Sequence, residues 1–185
     1  MNVNKNLPNQ LTIFRVILVP FFVAALLFED GENTAFRILA LVIFIVASLT
    51  DLFDGKIARK YGLVSTFGKF MDPLADKMLV CSALICLSWL RELSAWVTII
   101  VVSRDFIISG FRLVAAEKGT VIAASMWGKV KTTVQMVAII ALLLHIDSDA
   151  WNVICTVLVV LMTVLTIVSL ADYLLKNRDV LKEEM

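Results

Sequence analysis

The sequence is poor in charged residues, cysteine and histidine. Only 18% of its 185 residues are charged, whereas 60% are hydrophobic. This balance excludes an ordinary soluble domain and predicts an all-α, polytopic membrane protein with a single domain over residues 1–185. The formal net charge of +1 says little about partners, and the distribution of charge indicates no nucleic-acid surface.

The few cysteines and the single histidine provide neither a disulfide framework nor a soft metal site. Cys81 and Cys86 are five residues apart, so they miss the shared helical face that a spacing of three or four would give. Together with Cys155 they lie inside apolar stretches, where packing is favoured over metal binding. His145 ends an apolar run and is interpreted as an interfacial residue rather than a catalyst.

Four aspartates stand out against this apolar background. Asp51 and Asp54 are three residues apart, and Asp72 and Asp76 are four apart, so on helices each pair would project from one face. Gathered at one site, they would repel by about 4 kcal/mol per pair at a separation of about 4 Å and an effective dielectric of about 20. Such a site demands bound cations or protonated carboxyls. Oxygen ligands without nearby His or Cys favour Mg²⁺ or Mn²⁺ over zinc.

The residues that follow Asp54 suit a phosphate-bearing ligand. Gly55 and Ala58 leave one side of the helix bare enough for a ligand to approach the backbone, and Arg59 offers a planar fork for phosphate oxygens. The alternative is that the aspartates are ordinary solvated loop residues. Acids beside hydrophobic segments are usually functional, which disfavours that alternative for all four together.

The whole stretch resembles the signature of the CDP-alcohol phosphotransferase family, D-x2-D-G-x2-A-R-x8-G-x3-D-x3-D, which runs here without a gap from Asp51 to Asp76. The resemblance implies two divalent cations, Mg²⁺ or Mn²⁺, held by Asp51, Asp54, Asp72 and Asp76. It also implies that Asp76 acts as the general base and that the protein is a homodimer. The CDP-lipid would be bound by Asp51, Gly55, Ala58, Arg59 and Gly68.

Hydropathy predicts six transmembrane helices, with residues 1–10 as a possible surface segment and residues 176–185 as a charged tail. The predicted spans are Leu11–Phe28, Ala35–Lys60, Met71–Leu90, Ala95–Ala116, Thr132–Ile146 and Trp151–Leu175. Most basic residues fall on one side of these spans, whereas the opposite loops hold little beyond Arg37 and Arg91. Both termini and the four aspartates are therefore predicted to face the cytoplasm.

The first span contains an arginine, Arg15, one turn inside its border. Its side chain could extend back to the membrane surface or could face a polar site at that depth. The pattern of Pro8-Asn9, Thr12 and Arg15 resembles that of bacterial family members that transfer to sn-glycerol 3-phosphate. The resemblance implies that Asn9, Thr12 and Arg15 contribute to CDP-lipid binding.

A second set of basic residues lies in the C-terminal half. Arg104 and Arg112 are eight residues apart, close to one helical face, and the alternative role for either is a buried ion pair with Asp105 or another acid. Lys129 and Lys131 lie in a GKVKT run that is not a phosphate-binding loop, because Ala123 and Val130 occupy two of the required positions. A phosphorylated acceptor would explain this basic set, since its dianion needs balancing cations.

The segments SRDFIISGFR and WGKVKTTVQMVA also resemble those of the family members that use sn-glycerol 3-phosphate, except that Asp105 replaces a usual Glu. The acceptor phosphate would be bound by Arg104, Arg112, Lys129 and Lys131. The resemblance implies transfer of the phosphatidyl group from CDP-diacylglycerol to sn-glycerol 3-phosphate, in a bacterial cytoplasmic membrane with the active site facing the cytoplasm.

Two other functions fit parts of the pattern. Inositol-phosphate transfer would use a similar basic pocket. A cation transporter is less favoured, because it would place acids near the bilayer midplane and show related halves, and this sequence does neither.

Overall fold

The structure, a computed structural model, describes residues 7–61, 66–117 and 125–177, with the backbone alone for residues 7–9, 51–61, 66–73 and 76. The described residues form six α-helices and a short 3₁₀ segment at Phe28–Gly31, with no strand among them. The helices are α1 (Leu7–Leu26), α2 (Thr34–Tyr61), α3 (Thr66–Trp89), α4 (Ala95–Glu117), α5 (Met126–Leu144) and α6 (Asp149–Lys176). The predicted all-α class is thus confirmed.

The largest difference from the predicted boundaries is at the start of α5. The prediction treated residues up to Lys131 as a polar connection, but α5 already begins at Met126. The Oγ atom of Ser125 accepts a hydrogen bond from the backbone N–H of Gly128 at 3.1 Å and so caps the helix. Lys129 and Lys131 therefore lie on the first two turns of α5, where a helix fixes their positions. Residues 7–10, predicted as surface segment, begin α1.

Two of the helices, α5 and α6, are long and apolar enough to cross a membrane. Shorter apolar stretches lie within α1, α2 and α3, at Gln10–Leu26, Thr34–Thr50 and Lys77–Trp89. Helix α4 carries the ionisable residues Arg104, Asp105 and Arg112. The six-span topology stays a prediction.

The chain divides into two compact units, Met1–Glu92 and Leu93–Met185, and the predicted single domain stays a prediction. In the first unit α1 packs along both α2 and α3. Phe22 of α1 and Phe44 of α2 are fully buried with ring centroids 5.8 Å apart, and Leu84 and Leu87 of α3 are also fully buried. The apolar faces of three helices thus form one core.

An ion pair joins the start of α2 to the turn that follows α3. The Nη2 atom of Arg37 lies 2.6 Å from Oε2 of Glu92, and its Nη1 donates to the backbone oxygen of Gly31 at 3.2 Å. Gly31 has a φ of +79°, and a Cβ at that position would lie 2.9 Å from a methyl carbon of Leu90. Glycine is therefore required there both for its conformation and for the close packing.

In the second unit α6 packs against α5 and α4. A tight turn links α5 to α6, with His145 in the left-handed conformation at a φ of 43°. The indole N–H of Trp151 donates to the backbone oxygen of Ala141 at 3.2 Å and ties the start of α6 to the end of α5. Ile139, Leu143 and Met162 are buried in this unit.

Candidate active site

The four predicted metal ligands lie on two helices of the first unit. Asp51 and Asp54 are in the second half of α2, and Asp72 and Asp76 are in the first half of α3, so the predicted helical spacing within each pair is confirmed. Since α2 ends at Tyr61 and α3 begins at Thr66, the two pairs lie at similar distances from one short connection. Their side chains lie outside the described residues, and their convergence on one site stays a prediction.

The donor set of these helices fits a hard divalent cation. It offers four carboxylates, and residues 51–76 contain no His or Cys. The four aspartates would hold the cations. The predicted CDP-lipid residues Gly55, Ala58 and Arg59 lie on α2 and Gly68 lies on α3, and their side-chain surroundings lie outside the described residues.

The N-terminal residues predicted to bind the CDP-lipid lie on α1. Thr12 is fully buried, and only 1% of Arg15 is exposed. This excludes the alternative in which Arg15 extends to the membrane surface, because its side chain is buried. Asn9 is on the same helix, and its side chain lies outside the described residues.

A cluster of charged side chains forms the polar centre of the second unit. One carboxylate oxygen of Asp105, Oδ1, lies 2.9 Å from Nη1 of Arg104 and 2.6 Å from Nζ of Lys131. Both cations are buried, with 9% of Arg104 and 1% of Lys131 exposed. The alternative role for Arg104, a buried ion pair with Asp105, is thus observed, and phosphate binding by Arg104 stays a prediction. Among these three side chains, two positive charges share one negative charge.

Close packing brings the start of α5 to Arg104. A Cβ on Gly128 would lie 3.3 Å from Nη2 of Arg104, so a larger residue there would press on the guanidinium group. The glycine of the GKVKT run thus allows a close approach between α4 and α5, although the run is no phosphate-binding loop. Arg112 and Lys129, the other two predicted phosphate ligands, are exposed.

Helix α6 supplies a partner that the sequence analysis missed. The Nε atom of Arg104 donates to Oγ of Ser169 at 3.1 Å, and Ser169 donates in turn to the backbone oxygen of Thr166 at 3.0 Å. Thr166 and Ser169 are fully buried, and Tyr173 is 3% exposed. Successive spacings of three and four residues place all three on one face of an otherwise apolar helix, a pattern that could have identified them.

Comparison with known proteins places this arrangement in a family. A profile of the family described as CDP-alcohol phosphatidyltransferase matches residues 5–172. A protein of Bacillus subtilis (strain 168) named CDP-diacylglycerol--glycerol-3-phosphate 3-phosphatidyltransferase is 46% identical over 149 residues, covering 76% of this chain and 77% of the relative. Its namesake in Haemophilus influenzae (strain ATCC 51907 / DSM 11121 / KW20 / Rd) is 41% identical over 174 residues, 91% of each chain.

A third relative covers almost the whole sequence. The protein of Mycobacterium tuberculosis (strain ATCC 25618 / H37Rv) named "Probable phosphatidylglycerophosphate synthase" is 42% identical over 176 residues, which is 95% of this chain and 83% of the relative. The matched region includes both the four aspartates and the Arg104–Asp105–Lys131 cluster. The chain therefore belongs to the CDP-alcohol phosphatidyltransferase family.

Proposed function

We propose that this protein transfers the phosphatidyl group of CDP-diacylglycerol to sn-glycerol 3-phosphate, giving phosphatidylglycerophosphate and CMP. The observation that carries the choice of acceptor is the burial of two cations, Arg104 and Lys131, on the single carboxylate of Asp105. Guanidinium and ammonium groups gathered in this way are the donors that bind a phosphate dianion well. The names of relatives 41–46% identical to this chain support the same acceptor.

The reaction is a single displacement at phosphorus. The free hydroxyl on carbon 1 of the acceptor forms a new bond to the lipid-bearing phosphorus, and the bond from that phosphorus to the oxygen of CMP breaks. Asp76 would accept the proton of the attacking hydroxyl. Divalent cations held by Asp51, Asp54, Asp72 and Asp76 would neutralise charge on the pyrophosphate and make CMP a better leaving group.

Binding is divided among the remaining predicted residues. Arg59 would pair with phosphate oxygens of the CDP-lipid, while Gly55, Ala58 and Gly68 would leave space for its nucleotide part. The binding of the CDP-lipid would also involve Asn9, Thr12 and Arg15. Arg104 and Lys131 would bind the acceptor phosphate, with Arg112 and Lys129 as outer cations.

The protein would work in a bacterial cytoplasmic membrane, with six spans, both termini in the cytoplasm and the active site facing that side. The small number of basic residues on the opposite side, Arg37 and Arg91, supports this orientation. In a variant lacking Cys81, Cys86 and Cys155, cysteines at Glu32 and Asp149 should react with an impermeant thiol reagent from outside. A cysteine at Lys176 should react only after permeabilisation, and the reverse pattern would contradict the orientation.

The acceptor is tested with purified protein, CDP-diacylglycerol and a panel of alcohols, by following CMP release and the lipid product. Turnover should be fastest with sn-glycerol 3-phosphate. Faster release with inositol phosphate would overturn the assignment. A homodimer, implied by the resemblance, can be checked on the same sample by its mass in detergent.

The role of the cluster is tested by Lys131→Met, which keeps the length of the side chain but removes its charge. Losing one partner of a buried charged contact costs about 2–5 kcal/mol, so the KM for glycerol 3-phosphate should rise by about 30-fold or more. The KM for CDP-diacylglycerol should change much less and serves as the internal control. Equal increases for both substrates would contradict acceptor binding by Lys131.

A further inference from the structure

The buried polar face of α6 contains one group that the proposed mechanism does not use. Thr166, Ser169 and Tyr173 share this face, and the first two have their hydroxyls satisfied: Thr166 donates to the backbone oxygen of Met162 at 2.7 Å, and Ser169 contacts Arg104 and Thr166. Tyr173 differs from them. Its hydroxyl is buried and has no hydrogen-bond partner among the described residues.

Packing holds the ring of Tyr173 in place. The ring meets that of Phe111 edge-on, with centroids 5.7 Å apart and an interplanar angle of 82°. Burial of the ring explains the aromatic residue at this position but leaves the hydroxyl unexplained, since phenylalanine would pack equally well. Buried hydroxyls are nearly always paired, so this one indicates a partner other than the described residues, such as a bound ligand.

The carboxylate of the preceding residue, Asp172, also has one oxygen without a hydrogen-bond partner among the described residues. Oδ1 of Asp172 pairs with Nζ of Lys176 at 2.6 Å, whereas Oδ2 is buried without a hydrogen-bond partner in the described part of the chain. A carboxylate oxygen can only accept, whereas a tyrosine hydroxyl can donate and accept. This turn of α6 therefore suits a ligand that both donates and accepts hydrogen bonds.

These properties fit an alcohol better than a phosphate. A phosphate dianion offers only acceptors and would be repelled by the carboxylate of Asp172. A hydroxyl can donate to one group and accept from the other. Tyr173 lies one helical turn beyond Ser169, which contacts Arg104, so it is placed beside the cluster proposed to bind the acceptor phosphate.

We propose that the hydroxyl of Tyr173 binds the free hydroxyl on carbon 2 of glycerol 3-phosphate and thereby makes the second unit select a polyol phosphate. This inference rests on the proposed function. Arg104 and Lys131 would bind the phosphate of the acceptor, and Tyr173 would recognise the hydroxyl on carbon 2 of its carbon chain.

The test compares two acceptors in two proteins. The acceptors are sn-glycerol 3-phosphate and 1,3-propanediol phosphate, which lacks the hydroxyl on carbon 2. The unmodified protein should have a KM for glycerol 3-phosphate lower by about two- to tenfold, the usual range for one hydrogen bond. In Tyr173→Phe this difference should vanish, through a higher KM for glycerol 3-phosphate alone.

Three measurements guard against a structural explanation. The KM for CDP-diacylglycerol and the kcat should stay within about twofold, because Phe keeps the packing against Phe111. The melting temperature should not fall, since the change removes a buried hydroxyl that has no hydrogen-bond partner among the described residues. Thr156→Val is the matched control: it removes an exposed hydroxyl from the same helix, and both KM values should remain as before.

The possible failures can be told apart. If the unmodified protein uses both acceptors equally, or Tyr173→Phe keeps the full preference, the inference about Tyr173 is wrong while the proposed function stands. A lower melting temperature with equal losses for both acceptors would likewise overturn it, because the hydroxyl would then be structural. No CMP release with either acceptor would overturn the proposed function and this inference together.

Discussion

Each unit buries an arginine against a carboxylate, but the two arrangements differ in their balance of charge. In the first unit Arg37 meets Glu92 at 2.6 Å, one cation with one anion. In the second unit Arg104 and Lys131 share a single oxygen of Asp105. Both arginines are similarly enclosed, with 5% of Arg37 and 9% of Arg104 exposed. Burial of an arginine therefore does not by itself indicate a binding site.

The balance of charge separates a structural role from a binding role. A balanced pair is satisfied by its own partner and by the backbone oxygen of Gly31, so it needs no ligand. Two cations gathered on one carboxylate offer donors that a phosphate anion can bind. Arg37 thus holds two segments of the first unit together, and Arg104 is the arginine proposed to bind a phosphorylated substrate.

The largest expected effect belongs to the aspartates of the first unit, whose proposed role is chemical rather than structural. Asp72→Asn should lower turnover by about 10³-fold, because a lost metal ligand removes several kcal/mol of transition-state stabilisation. The protein should remain folded, since the change also relieves repulsion between carboxylates. CMP release measures the first effect, and the melting temperature measures the second.

Three further variants sharpen this result. Asp149→Asn, an exposed acid at the start of α6, is the control and should keep full activity. Asp76→Asn should lose turnover while it still binds CDP-lipid, as expected if Asp76 is the general base. Full activity in both Asp54→Asn and Asp72→Asn would exclude the proposed metal site.

The sequence predicted most helices, and the helical placement of the four aspartates, because these signals are local. Spacing within one helix and long apolar runs can be recognised without knowing the fold. The partners of the buried arginines could not be found in this way: Glu92 lies 55 residues after Arg37, and Ser169 lies 65 residues after Arg104. The start of α5 was missed because its cap, Ser125, lies in a polar stretch that hydropathy assigns to a connection.

The next largest effect tests the balanced pair of the first unit. Arg37→Met leaves Glu92 as a partly buried carboxylate without its cation and should reduce the free energy of unfolding by about 3–5 kcal/mol. Denaturation in detergent micelles measures this loss. The KM values of the folded fraction should not change, because the pair has no proposed contact with either substrate.

An exposed arginine provides the matched control for this variant. Arg91→Gln removes the same charge from a neighbouring turn and should change the stability by no more than about 0.5 kcal/mol. If Arg37→Met instead raised the KM for glycerol 3-phosphate while stability was kept, the proposed difference in role between the Arg37–Glu92 pair and the Arg104–Asp105–Lys131 cluster would be wrong.

The smallest effect concerns the two exposed cations of the predicted phosphate set, Arg112 and Lys129. Water and salt screen exposed charges, and their ion pairs contribute about 1 kcal/mol or less. Arg112→Met and Lys129→Met should therefore raise the KM for glycerol 3-phosphate by no more than about fivefold at low ionic strength.

At an ionic strength of about 1 M, where the screening length is about 3 Å, both effects should disappear. The effect of Lys131→Met should persist there, because its charge is buried. An equally salt-resistant effect of Arg112→Met would mean that Arg112 closes over the bound acceptor and becomes buried with it.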